Sequence, residues 1–213
     1  MNPFVADTEP TLPDDGPVSG PPNRRPSTAA LGKAVREWVI VLTIALGSAF
    51  FIRVFVLAQY YIDGPSMKTT LQPNNRVLVN KLSYRLHDVN RGDVVVFDRI
   101  TKDGTEVVHD DLIKRVIGLE GETVEIHDCT VSIDGKVLEE PYLDPEHIAR
   151  PDPSARCRIT DLAPQVVPED HVFVMGDNRA ESFDSREFGP IEADLIRGRA
   201  FVVIWPSSAW RWL

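Results

Sequence analysis

The chain has 213 residues, of which 43% are hydrophobic and 26% charged, the balance expected of a protein with one or two domains. Its formal net charge of −9 argues against a nucleic-acid partner, because no basic surface is available to neutralise phosphates. The two cysteines, Cys129 and Cys157, lie in no Cys-x-x-Cys motif or Cys/His cluster, so we expect no metal site and no cofactor.

Residues 1–29 are rich in Pro, Gly, Asp and Ser and nearly free of large apolar side chains. Such a segment cannot bury enough surface to offset the entropy lost when it becomes ordered. We therefore predict a disordered N-terminal tail. Two Pro-rich stretches within it leave open a second interpretation, a docking motif for a partner.

Residues 30–60 contain the longest apolar run, and from Trp38 to Ile62 the only charge is Arg53. A helix over that run would be about 37 Å long, enough to cross a bilayer core of about 30 Å with some tilt. Arg53 lies near the far end, where its side chain can extend to the headgroups. The alternatives are a buried helix of a soluble protein and a cleaved signal peptide, but "LAQYYIDG" is a poor cleavage site. We predict an uncleaved, single-pass anchor.

The charges around this run predict its orientation. Only one basic residue, Lys68, follows it closely, whereas four precede it: Arg24, Arg25, Lys33 and Arg36. The positive-inside rule then places the N-terminus in the cytoplasm and residues 61–213 outside the cytoplasmic membrane.

Residues 61–213 change to short apolar runs with a period of two, which is typical of strands. We expect strands at 76–82, 93–100, 111–119, 123–128, 130–138, 171–177 and 199–205. Asp134-Gly135 predicts a tight hairpin turn, and 144–170 predicts a long irregular loop. The expected fold class is therefore mainly β, in one domain large enough to bury its own core.

Ser66 lies in a Gly-Pro-Ser-Met turn directly after the predicted anchor. A serine hydroxyl is a poor nucleophile unless a base lies within hydrogen-bond reach. Histidine is the usual base, but every histidine of this chain lies beside acidic residues or in a predicted turn, which indicates a solvated side chain. The five are His87, His109, His127, His147 and His171.

Lys114 is a second candidate base, because it lies in the apolar strand "LIKRVIGL" with Leu112 and Val116 on its face. An ordinary lysine is neutral in only about one molecule in two thousand at pH 7, and burial is what lowers its pKa. A single lysine in such a strand is also typical of a sheet edge, so the motif alone leaves both interpretations open.

A third stretch, "VMGDNRAESFDSREFG", follows a predicted strand. It is either a solvated, turn-rich loop or a hydrogen-bonded support in which Ser182 orients a lysine amine and Asp184 pairs with Arg186. The stretch alone favours neither.

In order and in chemistry these motifs resemble the bacterial type I signal peptidases, membrane-anchored Ser/Lys proteases that remove signal peptides from exported proteins. "GPSMKTTL" resembles the family's Ser-Met motif, and "NNRVLVNK" with "RGDVVVF" resembles its strand motif. "LIKRVIGLEGETVEI" is similar to its lysine motif, and "MGDNRAESFDSREFGPI" to its Gly-Asp-Asn motif. The resemblance covers residues 38–205.

The resemblance implies roles for particular residues. Ser66 would be the nucleophile and Lys114 the general base, without a metal or cofactor. Five others would support them, Ser182 by a hydrogen bond to the lysine and Asp184 and Arg186 as an ion pair: Ser182, Asp184, Arg186, Gly176 and Met67.

Four positions depart from the family's pattern, two of them Ala180 and Glu181, which replace the Asp-Asn that commonly follows the Gly-Asp-Asn-Arg run. Thr69 stands where the Ser-Met motif usually has proline, so this turn is less rigid. Gly64 stands where some members have a serine that donates to the oxyanion, which leaves the second donor to a backbone group or water.

The resemblance also implies two antiparallel sheets, an apolar surface resting on the bilayer, and an extended substrate with small residues before the cut, as in Ala-x-Ala. Trp210 and Trp212 suit a bilayer interface, and Trp205 suits either that interface or a core strand. The side chains proposed to line shallow pockets for the small residues are Ile62, Met67, Val79, Val116 and Met175.

An oxidising external compartment predicts a disulfide between Cys129 and Cys157. Because both cysteines lie away from the motifs in sequence, we expect the site not to depend on this bond. Two other functions stay open: a self-cleaving Ser/Lys protein, and a membrane-tethered, non-catalytic β module that binds envelope partners.

Overall fold

The computed structural model describes residues 28–103 and 106–213. The tail expected at 1–29 therefore lies outside the described residues, apart from its last two. The chain divides into two compact units, one that ends at Leu46 and one from Gly47 to Leu213, and the site described below lies within the second.

Helix α1 (Thr28–Phe51) continues as a π-helical turn, Ile52–Val56. Residues Val35–Val56 are long and apolar enough to cross a membrane, with a mean hydropathy of 2.4 in their most apolar window, and none of that window is buried. The helix was expected to reach residue 60, but Leu57–Tyr61 forms strand β1. The reason is tertiary: β1 pairs antiparallel with the residues from Arg76 to Asn80, which overrides the continuity of the apolar run.

The remaining elements are mostly strands. They are β2 (Arg76–Asn80), β3 (Val94–Asp103), β4 (Glu106–Gly118), β5 (Thr123–His127), β6 (Thr130–Ile133), β7 (Lys136–Val137), β8 (Leu162–Val166), β9 (His171–Met175), β10 (Ile191–Glu192), β11 (Ile196–Trp205) and β12 (Arg211–Trp212). Short helices are α2 (Ser83–Leu86), α3 (Pro145–Ile148), α4 (Pro153–Arg156) and α5 (Ser185–Phe188), with 3-10 turns at Ala193–Leu195 and Ser207–Ala209.

These strands form two antiparallel sheets, which confirms the mainly β prediction. The larger sheet has the order β1-β2-β11-β3-β4-β9-β10, with β12 beside β11, and the smaller has the order β7-β6-β5-β8. Alternate residues of β3 enter different core clusters: Val94 and Val96 join one, and Val95 and Phe97 join another. A third cluster packs the smaller sheet against the ends of β4 and β9.

The hairpin turn at Asp134-Gly135 is confirmed. Both residues have positive φ, 50° and 75°, and they connect β6 to β7. Two consecutive residues of this kind define a type I′ turn.

The irregular loop expected at 144–170 is wrong in part, because α3, α4 and β8 lie within it. Strand β8 pairs with β5 at the edge of the smaller sheet. Pro164 interrupts its strand pattern, and an edge is where a strand tolerates proline without losing a ladder hydrogen bond. Cys129, in the turn before β6, is joined by a disulfide to Cys157, which follows α4.

Candidate active site

Strand β4 places the Lys114 amine beside the Ser66 hydroxyl. Lys114 Nζ lies 2.9 Å from Ser66 Oγ and 3.1 Å from the carbonyl oxygen of Ile113. Lys114 is only 3% exposed, and it lies opposite Val95 of β3 in the large sheet. A neutral amine in this position can donate to Ile113 O and direct its lone pair at the serine proton.

The turn around Ser66 is fixed from both sides. Lys68 N donates to Pro65 O at 3.0 Å, and Asn178 N donates to Ser66 O at 3.0 Å. Asn178 Nδ2 also donates to Pro65 O at 3.1 Å. Met67, next along the chain, is fully buried and accepts a hydrogen bond at Sδ from Asp177 N at 3.4 Å. The nucleophile candidate is therefore held by the residues that follow β9.

Burial lowers the pKa of Lys114 from 10.5 to about 8. Removal of water from the ammonium is the largest cause, because the charged form loses solvation that the apolar surroundings do not replace. The charge of Asp184 opposes the shift, and that of Arg186 adds to it. At pH 7 about one molecule in ten then carries a neutral lysine, which is enough for base catalysis.

Asp184 and Arg186 form the ion pair that the Gly-Asp-Asn motif predicts. Arg186 Nε and Nη2 donate to the two carboxylate oxygens of Asp184 at 2.8 and 2.7 Å, and both side chains are almost fully buried. Burial alone would raise the pKa of Asp184, but the hydrogen bonds and charge of Arg186 hold that pKa below its usual value.

Gly176 brings this ion pair close to the serine turn. Its N–H donates to Asp184 Oδ2 at 3.0 Å. A Cβ on Gly176 would overlap both Ser182 Oγ and Ser66 O, so any larger residue would separate the two segments.

The expected hydrogen bond between Ser182 and Lys114 is not formed. Ser182 is 1% exposed, and its hydroxyl lies close enough to Asp184 to help lower the pKa of that carboxylate. The hydroxyl packs against Gly176 instead, while the lysine amine reaches Ser66 and Ile113.

A family model described as "Signal peptidase, peptidase S26" matches residues 35–205, most of the chain and all the elements that form the site. The chain belongs to this family. It is a bacterial type I signal peptidase, a serine endopeptidase of class EC 3.4.21.89. Its apolar helix is compatible with a membrane-anchored enzyme.

Individual proteins are similar to this chain. The chain is 39% identical over 176 residues to a probable signal peptidase I-2 of Synechocystis sp., covering 83% of this chain and 72% of the relative. It is 34% identical over 186 residues to signal peptidase IB of Staphylococcus aureus strain COL, covering 84% and 94%. A crystal structure of a signal peptidase I from Enterococcus faecalis V583 matches with 32% identity and a TM-score of 0.41, covering 53% of this chain and 97% of that one.

The sequence analysis missed a second buried ion pair beside the site, between Arg115 and Asp177. Arg115 Nε and Nη2 donate to Asp177 at 2.9 and 2.7 Å, and Nη1 donates to Gly92 O at 2.8 Å. Thr70, from the serine turn, donates to the same carboxylate, and the Arg115 guanidinium lies 4.0 Å from the Tyr142 ring centroid. The available signal was alternation: the side chain after Lys114 must face the other side of β4, where a buried cation needs a carboxylate.

The five proposed pocket residues are not brought together. Ile62, Met67 and Val79 share one core cluster, but Val116 and Met175 belong to the two others. All five are at most 3% exposed in the free chain, and a substrate pocket formed by them stays a prediction.

The histidines with described side chains contact other groups. His109 Nδ1 lies 2.8 Å from Asp98, and His127 Nδ1 lies 3.0 Å from Asp161. His87 and His171 contact backbone oxygens within two residues of themselves. The base candidate in contact with the Ser66 hydroxyl is therefore Lys114 and none of these histidines.

Proposed function

We propose that this chain cleaves N-terminal signal peptides from exported preproteins, with Ser66 as nucleophile and Lys114 as general base. The observation that supports this most strongly is the 2.9 Å separation of Lys114 Nζ and Ser66 Oγ, in surroundings that leave the lysine only 3% exposed. A lysine that is both in contact with a serine and deprived of water fits a base that is neutral near physiological pH.

In the proposed reaction, the neutral Lys114 amine takes the Ser66 proton as Oγ attacks the carbonyl carbon before the cut. The tetrahedral intermediate collapses to a serine ester, and the leaving amine of the mature protein takes the proton from Lys114. Lys114 next removes a proton from water, which attacks the ester. This releases the signal peptide as a carboxylic acid and restores the serine.

The Ser66 N–H is the first oxyanion donor in this scheme. It donates to no group among the described residues, so it is available to a developing negative charge. Gly64 has no side chain to supply a second donor, which leaves that role to a backbone group or water.

Strand β4 offers an edge for an extended substrate. It pairs with β3 from Glu106 to Arg115 but with β9 only from Arg115 to Gly118. In the part of the chain that the structure describes, the second edge of β4 before Lys114 has no partner strand. A substrate strand added there would run past both catalytic groups. We propose small residues at the first and third positions before the cut, as in Ala-x-Ala.

Three supporting residues keep their proposed roles. The Asp184–Arg186 pair would hold the Gly176 segment against the serine turn, and the buried Met67 side chain would anchor that turn to Asp177. None of the three would contact the reacting atoms.

For topology, we propose a cytoplasmic N-terminus and an extracytoplasmic catalytic domain. The basic residues before the apolar helix support this orientation, and the apolar part of a signal peptide would lie in the same bilayer. Protease added to sealed spheroplasts should digest the catalytic domain and spare a tag at residue 1. Loss of the tag from outside would overturn the orientation.

Cleavage of a preprotein with an Ala-x-Ala site by the full chain in detergent tests the mechanism. Lys114→Met and Ser66→Ala should each lose almost all activity, and the double variant should be no worse, because the two groups act together. Lys114→Arg should also be inactive, since a guanidinium does not deprotonate. Lys81→Met is the matched control and should keep activity, because the Lys81 amine instead donates to Val54 O.

The outcomes separate the alternatives. Near wild-type cleavage by Lys114→Arg would overturn the mechanism. A chain that cuts only itself would be the self-cleaving protein, and one that cuts nothing would be the binding module.

A further inference from the structure

The disulfide lies one residue from a contact with the loop that supports the proposed site. Arg158, directly after Cys157, donates its backbone N–H to the carbonyl oxygen of Arg179 at 3.0 Å. Its side chain lies 2.6 Å from Glu187 Oε1, and its guanidinium lies 5.9 Å from the Phe183 ring centroid. Three contacts from one residue therefore reach the 179–188 loop, which carries Ser182, Asp184 and Arg186.

The Arg179 carbonyl links this contact to the buried ion pair. It accepts a second hydrogen bond from Arg186 Nη1 at 3.0 Å, so Arg158 and Arg186 are held by the same oxygen. Arg186 in turn holds Asp184, and Asp184 accepts the N–H of Gly176 beside the serine turn. A chain of direct contacts thus leads from the disulfide to Ser66.

The contacts differ in strength. The Arg158 side chain is 51% exposed, and an ion pair so open to solvent contributes little by itself. Cys157 is 2% exposed and covalently fixed, so the backbone of residue 158 is the firm part of the contact. The disulfide therefore fixes the position of the Arg158 backbone.

We propose that Arg158 is a positioning residue, held by the Cys129–Cys157 disulfide against the 179–188 loop so that the loop keeps the catalytic amine enclosed. This rests on the proposed function, in which Lys114 is the base. It replaces the expectation, drawn from the distance in sequence, that the site is independent of the disulfide.

Loss of this contact should change the basicity of Lys114. The charged groups whose fields reach its amine come from two segments besides β4: the residues after β9 and strand β3. They are Asp177, Asp184, Arg186 and Arg99. The Arg99 guanidinium also lies 4.6 Å from the Phe183 ring centroid, so strand β3 contacts the 179–188 loop as well. A loosened loop admits water, and a rehydrated ammonium has a pKa closer to 10.5.

The test is the pH dependence of kcat/KM for the full chain, from about pH 6 to about pH 10. Variants are Cys129→Ser/Cys157→Ser, Arg158→Ala, and Arg158→Lys, which keeps a cation for Glu187. Arg156→Ala is the matched control, because that side chain lies in the same segment but pairs with Asp128.

We expect the acid limb of the double cysteine variant to move upward by about half a pH unit or more. At pH 7 its kcat/KM should fall about threefold or more, and it should approach wild type at the alkaline end. Arg158→Ala should move the limb less, Arg158→Lys should restore most of that shift, and Arg156→Ala should leave it unchanged.

The inference is overturned if folded cysteine and Arg158 variants keep the wild-type limb, or lose rate equally at every pH. If the cysteine variant does not fold, Arg158→Ala and its rescue by Arg158→Lys decide alone. An active Lys114→Met would instead overturn the proposed function, so the two failures are distinguishable.

Discussion

Lys114 and Arg115 are consecutive on β4 and nearly equally buried, 3% and 7% exposed, yet their surroundings differ. On one side of the strand, Lys114 Nζ contacts two uncharged oxygens, those of Ser66 and Ile113. On the other side, the Arg115 guanidinium makes two hydrogen bonds to the Asp177 carboxylate and a third to Gly92 O.

The difference follows from what each side chain can do when it loses water. A guanidinium stays protonated, so a buried arginine requires a carboxylate. A lysine can release its proton, so a buried lysine without a paired carboxylate becomes a base. Because side chains alternate along a strand, the adjacent residues Arg115 and Lys114 can form a buried ion pair on one side of β4 and a neutral amine on the other.

Asp177→Asn disrupts the buried ion pair with Arg115 and should have the largest effect on stability. It leaves the Arg115 cation buried without its carboxylate, which typically costs about 3–5 kcal/mol of unfolding free energy. Activity should fall as well, because the same carboxylate accepts from Thr70 in the serine turn. Denaturant unfolding of the full chain measures the loss.

Asp161→Asn is the control for that experiment. Asp161 is exposed and contacts His127 at the surface, so its replacement should not measurably change stability. If Asp177→Asn were as stable as Asp161→Asn, the Arg115–Asp177 ion pair would not stabilise the fold as described.

Lys114→Met removes the amine on the other side of β4, and its effect on the free energy of unfolding should depend on pH. The folded pKa of about 8 lies below the ordinary 10.5, so between these values the unfolded chain binds more protons and wild-type stability rises with pH. Below this window the wild type carries a penalty of about 3 kcal/mol that methionine does not share. The advantage of Lys114→Met should therefore shrink by about that amount between pH 7 and pH 10.

Unfolding at several pH values tests this linkage. Lys81→Met, which replaces an exposed lysine, should show no such trend. A constant difference between Lys114→Met and wild type at every pH would show that the lysine is not perturbed by burial.

Ser182→Ala should have the smallest effect. The hydroxyl is buried and forms no hydrogen bond to the Lys114 amine, so its loss should change stability by about 1 kcal/mol or less. Thermal unfolding measures this, and the loss of activity should be far smaller than that of Lys114→Met. A destabilisation above about 2 kcal/mol would indicate a hydrogen bond that the structure does not show.

Local patterns in the sequence predicted most of the sheet. Alternation of apolar residues predicted a strand in each of the seven ranges expected, and Asp134-Gly135 predicted its hairpin. Strand β1 was missed because its residues continue an apolar run, and β8 because Pro164 interrupts its pattern. In both cases pairing with a distant strand decided the outcome, which a local pattern does not contain.

The candidate site was predictable to a similar extent. Motif order identified Ser66 and Lys114, which the fold brings into contact across 48 residues. Side-chain direction was not predictable, as Ser182 shows by facing Gly176, and neither was the partner of Arg115. Both depend on how the 176–188 region packs against β4, which the sequence does not reveal locally.

The central claim, that burial makes Lys114 a base, is tested most directly by its own titration. Lysines labelled with ¹³C at Cε in the full chain can be followed by NMR against pH, and the Lys114 signal is the one absent from Lys114→Met. The account predicts a midpoint near 8 for this signal. A Lys114 midpoint near the ordinary value of 10.5 would contradict the account.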